Sequence, residues 1–397
     1  MTEDYTTPDD DMDDENADET EETDSPPDLS SLVVYSRDWT IETIYNQIEK
    51  GNIDLNPKFQ RRNAWKDDKR SKLIESLIIG MPVPEVVLAE HPENKRSFIV
   101  VDGKQRLLTI AGFINPKGIG YWNYPKLSKL KVRKDLNGLT YDEIRDTYPD
   151  EYRRFLNADM RCTVISNYKS TDVLYDIFYR LNSGSVPLSS QELRQALNKG
   201  QFADYLMEIT SELQPVHKVM KIDGPDVRLR DVEIIHRFIC FVLFSKAYRG
   251  NLRRFLDDQM GEITKNWEEY SDSVKQTYAD FNMAIEKLES VFGAEKIGRR
   301  YTEGKGWVSK LNRALFEVEA YYFMHLDEKV IVGKDKRFVE AFQAFCTENT
   351  DFIDSIRITT GNLKQYATRY KLFCEFVNKT LGTDLSMLPF DYGLPTV

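Results

Sequence analysis

The chain has 397 residues, 41% of them hydrophobic and 12% aromatic, which is enough apolar material for two domains with proper cores. Four scattered cysteines without a C-x-x-C spacing exclude a disulfide scaffold and argue against a zinc site. The longest apolar stretch, 238–244, is too short to cross a bilayer, and the acidic N-terminus lacks the pattern of a signal peptide. We therefore expect a cytoplasmic protein without a membrane partner.

The net charge of −11 is distributed unevenly along the chain. Residues 1–36 contain fourteen acidic residues and no Lys or Arg, whereas the remainder has 54 basic residues against 51 acidic ones. The folded part is therefore mildly basic, and its charge does not exclude a nucleotide or nucleic-acid partner. Residues 1–32 are predicted to be a disordered acidic tail, because so few apolar residues cannot offset the entropy of ordering.

Residues 33–200 switch repeatedly between helical and strand patterns. Apolar residues at helical spacing predict helices over 40–50 and 67–79. In chain order there follow strands at 85–90 and 97–102, a helix over 103–114, a strand at 160–166 and a helix over 171–182. The order indicates a small mixed α/β domain, and long amphipathic runs predict an all-helical domain over 201–397. The expected fold class is α+β.

A basic stretch interrupts this series of elements. Residues 117–134 hold many Lys and Arg and few acidic residues. Such composition is typical of a solvated surface, and it predicts an insertion between core elements.

The segment SFIVVDGKQRLLTI carries the first group of candidate site residues, at the point where a strand turns into a helix: Asp102, Gly103, Lys104, Gln105 and Arg106. The first N–H groups of a helix lack internal partners and attract anions, and a glycine lets a ligand approach the backbone. Lys104 and Arg106 would bind phosphate oxygens, while Asp102 could position a metal or a hydroxyl. The alternative is that Asp102 merely caps the helix and the basic side chains face water.

Two further stretches combine polar and aromatic residues. In PKFQRRNAW (57–65), large aromatic residues bracket Gln60 and Arg61, which predicts either a loop facing a cleft or a loop covering a core edge. In FYRLNSGSVPLSSQELRQAL (178–197), Arg180 and Asn182 lie at a predicted helix end, where polar side chains can reach a ligand. Ser189 with Glu192 fits a capping box for the next helix, which is a structural role.

Several enzyme motifs are absent from the sequence. There is no G-x-x-x-x-G-K-[ST], no G-x-G-x-x-G after a strand, no H-E-x-x-H and no G-x-S-x-G. The four histidines are too dispersed for a metal motif, and the apolar surroundings of His236 favour a core position.

Four segments in register resemble the N-terminal domain of the GmrSD-type restriction endonucleases, a family with a ParB/sulfiredoxin-like core and a D-G-Q-Q-R motif. They are FQRRNAW, LIESLIIGMPVPEVVL, VDGKQRLLTI and FYRLNSGSVPLSSQELRQAL, within residues 36–200. The sequence departs from the family pattern at Lys104, where the family usually has Gln. A second departure is that no histidine lies in the His-Asn-His nuclease motif of family members that cut DNA.

The resemblance implies binding and hydrolysis of a nucleoside triphosphate with Mg²⁺. Its catalytic residues would be Asp102 and Gln105, with Asp102 also next to the metal of the Mg-nucleotide. The implied nucleotide-binding residues are Gln60, Arg61, Gly103, Lys104, Arg106, Arg180 and Asn182. The first hypothesis is therefore a regulatory NTPase module of a restriction or anti-phage defence system acting on DNA with a separate nuclease subunit. The alternatives are a non-catalytic DNA-binding adaptor and a nuclease within the ParB-like core.

Overall fold

The computed structural model describes residues 29–55, 65–91, 94, 96–169, 173–175, 177 and 189–391. Within these ranges the chain divides into two compact units, one of residues 29–197 with 226–229, and one of residues 198–225 and 230–391. All but the last four residues of the predicted acidic tail lie outside the described residues. No helix in the described part of the chain is long and apolar enough to span a bilayer.

The first unit is built on a mixed five-stranded sheet. Its strands are β1 (Val33–Thr40), β2 (Ile53–Asp54), β3 (Val86–Glu90), β4 (Phe98–Asp102) and β5 (Asp159–Ser166). The spatial order is β1-β5-β3-β4-β2. Strand β4 pairs antiparallel with β3 and parallel with β2, so it lies inside the sheet. The strands predicted at 85–90, 97–102 and 160–166 are confirmed, whereas β1 and β2 were not predicted.

Helices cover this sheet. They are α1 (Ile41–Glu49), α2 (Asp67–Ile79), α3 (Lys104–Ile114), α4 (Pro116–Ile119), α5 (Tyr141–Thr147), α6 (Pro149–Leu156) and α7 (Ser190–Leu197). The predictions of α1, α2 and α3 are confirmed. Of the helix predicted over 171–182, the described residues 173–175 and 177 are helical, and the rest lie outside the described residues.

The sheet has a hydrophobic core on each face. Val86, Val100 and Val164 belong to the larger core, whereas the residues next to them in sequence, Val87 and Val101, belong to the smaller one. This alternation follows from the two-residue period of a strand. Both faces of the central strands are therefore buried, which explains their continuous apolar sequences.

The prediction of a solvated insertion over 117–134 is wrong. Four of its large apolar residues are buried in the larger core, with exposures of 1–4%: Tyr121, Trp122, Leu127 and Leu130. Its lysines face solvent, together with Tyr124 and Val132. The segment is therefore a layer of the core whose outer surface is basic.

The second unit is helical apart from a small hairpin of β6 (Tyr301–Thr302) and β7 (Gly306–Trp307). Its helices are α8 (Gln201–Ile209), α9 (Pro215–Met220), α10 (Arg230–Phe244), α11 (Leu252–Lys265), α12 (Trp267–Phe292), α13 (Arg313–Met324), α14 (Glu328–Ile331), α15 (Asp335–Glu348), α16 (Thr350–Ser355) and α17 (Leu363–Leu381). The α+β class is confirmed. All four cysteines are buried and free, as their apolar contexts predicted.

Candidate functional site

The junction between β4 and α3 depends on the backbone conformation of Gly103. This residue is the N-cap of α3 with φ 93°, in the left-handed region that favours glycine. A Cβ on Gly103 would lie 2.8 Å from Cγ2 of Val86 and 3.1 Å from Nη2 of Arg106. No side chain caps the first turn of α3 among the described residues. The junction is therefore a tight, glycine-dependent turn at a helix N-terminus without a side-chain cap.

Arg106 is a buried residue that connects the end of β4 to the residue just before β3. Its Nη2 donates to Oδ2 of Asp102 at 2.7 Å and to the backbone oxygen of Glu85 at 2.9 Å. The Arg106 side chain is only 8% exposed, whereas that of Asp102 is 27% exposed. The interpretation of Asp102 as the helix cap is wrong, because the carboxylate binds the guanidinium of Arg106 and Gly103 occupies the cap position. Asp102 is held in one orientation while part of it remains accessible.

Lys104 is partly buried at the start of α3. Desolvation lowers the pKa of its ammonium group, and the carboxylates of Glu192 and Asp54 partly oppose this effect. Burial likewise raises the pKa of Glu192, against the opposing effect of Lys104. The two residues come from α3 and α7, which are far apart in sequence. Lys104 is thus a cation in a poorly solvated position, where it would interact more strongly with an anionic ligand than a surface lysine does.

Gln105 is positioned by a second network. The hydroxyl of Tyr121 donates to Oε1 of Gln105, and burial raises the pKa of that hydroxyl. The Arg70 guanidinium lies 4.3 Å from the centre of the Tyr121 ring and pairs with Asp67 at 3.0 Å. The Gln105 side chain is therefore oriented by residues of α2 and of the segment 117–134.

The remaining predicted site residues differ in what the structure describes. Gln60, Arg61, Arg180 and Asn182 lie outside the described residues, so their roles stay predictions. The capping box is confirmed, since the Ser189 N–H donates to Oε2 of Glu192 at 2.8 Å and the Glu192 N–H donates to Oγ of Ser189 at 3.1 Å. This box fixes the carboxylate that faces Lys104.

Sequence reasoning missed four residues that support the motif: Asp54, Arg70, Tyr121 and Glu192 in its electrostatic role. For Tyr121 a signal existed, because the aromatic pair Tyr121-Trp122 follows Gly120 in an otherwise polar stretch. An aromatic pair of this kind usually anchors a segment to a core. The other three act through tertiary contacts that no local pattern specifies.

The donor set at this junction fits a magnesium ion that is bound through a nucleotide. The part of the chain that the structure describes contains no group of three or more His, Cys, Asp or Glu that could hold a metal ion. Asp102 provides one accessible carboxylate. Because Mg²⁺ is commonly held by one or two carboxylates together with phosphates and waters, one such residue is adequate in the presence of a triphosphate and insufficient without it.

The chain contains a known type of domain. Residues 41–198 match the family described as the GmrSD restriction endonuclease, N-terminal domain. The match spans β2 to β5, all seven helices of the first unit and the junction at Gly103. No curated protein matches the chain. The first unit is thus a domain of a kind found in restriction systems.

Proposed function

We propose that the chain is a nucleotide-binding, NTP-hydrolysing regulatory module of a restriction or anti-phage defence system. The observation that carries this proposal is the poorly solvated Lys104 at the N-terminus of α3, where no side chain of the described residues caps the helix. A cation at the positive end of a helix macrodipole favours an anion. The domain family supplies the link to restriction, and DNA cleavage would require a separate nuclease subunit.

The motif residues divide into three roles in this proposal. Lys104 binds phosphate oxygens, and Gly103 leaves room for the backbone to approach them. Asp102 would hold the magnesium ion of the Mg-nucleotide, and that ion would supply neutralisation of the phosphate charge. Gln105, oriented by Tyr121, is placed to position the attacking water. Gln60, Arg61, Arg180 and Asn182 remain proposed nucleotide contacts.

For Arg106 the geometry favours a positioning role over direct phosphate contact. Its Nη2 is already engaged by Asp102 and by the Glu85 carbonyl. Its side chain is only 8% exposed, which leaves little room for a ligand to reach it. Arg106 therefore supports the site by fixing Asp102.

The non-catalytic adaptor hypothesis is disfavoured for these same residues. Contact with a DNA backbone requires exposed cations, because phosphates of a duplex cannot enter a buried pocket. Arg106 is buried and Lys104 is partly buried. A small ligand fits this geometry better than a duplex does.

Equilibrium binding of the four common nucleoside triphosphates, with and without magnesium, tests the proposal. Replacing Lys104 by Ala should weaken binding of the preferred triphosphate by roughly ten- to a hundredfold, because a charge-assisted hydrogen bond is worth about 1.5–3 kcal/mol. The matched control is Lys117→Ala, which removes an exposed lysine near the other end of α3 and should leave affinity unchanged. If no triphosphate binds, or if the two variants behave alike, the proposal is wrong.

Hydrolysis is tested separately from binding. Asp102→Asn keeps the shape of the side chain and removes its charge, so phosphate release should fall strongly while the fold is retained. Retained turnover in Asp102→Asn would exclude the proposed role of this carboxylate.

A further inference from the structure

The outer surface of the segment 117–134 is a second place where the first unit can receive an anion. This stretch contains six basic residues and no acidic one. Two of the six have acidic neighbours: Arg133 pairs with Asp135 at 2.6 Å and Glu151 at 2.9 Å, and Lys126 lies near Glu143. The remaining lysines are the ones that matter for binding.

The segment is attached firmly to α2. The Ser128 N–H donates to Oγ of Ser71 at 2.9 Å. The N–H groups of Val132 and Arg133 both donate to Oε1 of the buried Glu75, at 2.9 Å and 2.7 Å. Residues 128–133 therefore run beside residues 71–75 of α2, and the backbone of the segment is fixed there.

This attachment brings exposed lysines of two elements together. We define the lysine strip as Lys72 of α2 with Lys129, Lys131 and Lys134, all of them exposed. Within the described ranges, none of the four ammonium groups has a carboxylate partner within 4.0 Å. The carboxylates closest to the segment are engaged by other groups: that of Glu75 by backbone amides, and those of Asp135 and Glu151 by Arg133. The strip is a group of exposed positive charges on a backbone that is held by α2.

We propose that the lysine strip binds the phosphate backbone of duplex DNA, at a place separate from the β4–α3 junction. Duplex DNA carries about one negative charge per 1.7 Å of helix axis, so a row of lysines is the matching surface. A fixed backbone limits the conformational entropy that binding costs. The match to a restriction endonuclease domain family makes DNA, among polyanions, the expected ligand.

An anionic membrane fits the strip less well. Membrane-surface segments present large apolar residues beside their basic ones, and these enter the lipid. Here Leu127 and Leu130 of the segment point into the core, with exposures of 1% and 4%. The large apolar side chains that the segment exposes are Tyr124 and Val132, at 84% and 62%, and two such residues are too few to form a continuous apolar face that enters lipid. The surface is suited to phosphates and not to lipid chains.

The test measures binding of the full chain to a 30-base-pair duplex by fluorescence anisotropy over a range of salt concentrations. The strip variant changes Lys72, Lys129, Lys131 and Lys134 to Gln. The control variant removes four exposed lysines of the second unit in the same way: Lys275, Lys329, Lys336 and Lys371. Both variants lose the same net charge, so a difference between them reports the position of the lysines.

The logarithm of affinity falls as the logarithm of salt concentration rises, and each lost phosphate contact makes this negative slope shallower by about 0.9. We expect the slope to become shallower by about 3 to 4 in the strip variant and by about 0.9 in Lys131→Gln. The slope of the control variant should change little. Equal slopes for strip and control variants would overturn the proposal. So would the absence of duplex binding by the unmodified chain at low salt, or a loss confined to binding of anionic vesicles.

Triphosphate binding by the strip variant separates this proposal from the proposed function. It should be unchanged, since the strip lies outside the β4–α3 junction. The unmodified chain could fail to bind a triphosphate while the salt slopes of the strip and control variants differ as expected. That result would support DNA binding by the lysine strip and would contradict the proposed nucleotide binding.

Discussion

Replacing Gly103 by Ala should destabilise the first unit more than any other Gly-to-Ala change at a comparable backbone angle. At φ 93°, an L-residue costs about 1–2 kcal/mol. The new Cβ would also lie 2.8 Å from Cγ2 of Val86, which is buried in a strand and cannot move away freely. Overpacking of this kind costs about 1–3 kcal/mol. The sum is about 2–5 kcal/mol.

Gly138→Ala is the matched control. Its φ is 86°, and nothing lies within 4 Å of the Cβ that Ala would add. It therefore incurs the backbone cost alone, and the difference between the two variants isolates the close contacts with Val86 and Arg106. At about 2–4 °C per kcal/mol for a unit of this size, Gly103→Ala should lower the thermal midpoint by about 2–12 °C more than Gly138→Ala. Equal midpoints by circular dichroism would refute the steric argument.

Four further outcomes are expected. Burial raises the pKa of Glu319 from its ordinary value near 4.5 to about 8. The contribution of this carboxyl group to stability is therefore present below pH 4.5 and is lost as pH rises to 8. Glu319→Gln should flatten the pH dependence of the urea midpoint between these two values. Because the pKa of Lys104 is lowered, triphosphate affinity should decline at a lower pH than an ordinary lysine would give, and Lys104→Arg should abolish that decline in binding titrations. Tyr121→Phe should cost about 0.5–1.5 kcal/mol of stability and lower the turnover of NTP hydrolysis, because Gln105 loses its partner. The purified chain should not cleave plasmid DNA with magnesium or manganese, with or without nucleotide; nicking that disappears in Asp102→Ala would place a nuclease in the first unit.

The central elements of the first unit were predictable because the apolar residues within each element follow a single pattern, typical of either a strand or a helix. β3 and β4 are continuous apolar runs buried on both faces, and α3 follows a glycine at which the period changes from two to 3.6 residues. The strand β1 was missed because it pairs only with β5 and most of its side chains are exposed. Its inward side carries Tyr35 and Trp39, which are only partly buried against the larger core, and Arg37 between them interrupts the apolar alternation.

The error over 117–134 has a different cause. Its six basic residues outnumber its five buried ones, so composition predicts a solvated surface. Yet Leu127 and Leu130 alternate with exposed lysines in an irregular segment that follows neither the helical nor the strand period. The contacts of the site were beyond local patterns for a related reason. Tyr121 meets Gln105, and Glu192 meets Lys104, only after the chain has folded.

The five motif residues 102–106 have different roles because the chain changes from strand to helix among them. Gly103 and Arg106 are buried and hold the turn, whereas Asp102, Lys104 and Gln105 keep part of their surface accessible. At position 106 one guanidinium nitrogen, Nη2, donates both to the Asp102 carboxylate and to the Glu85 backbone oxygen, so the positive charge of Arg106 is engaged inside the protein. Charge alone therefore does not identify the ligand-binding residues of this motif. The orientation of each side chain, set by the turn at Gly103, decides which of them can meet a ligand.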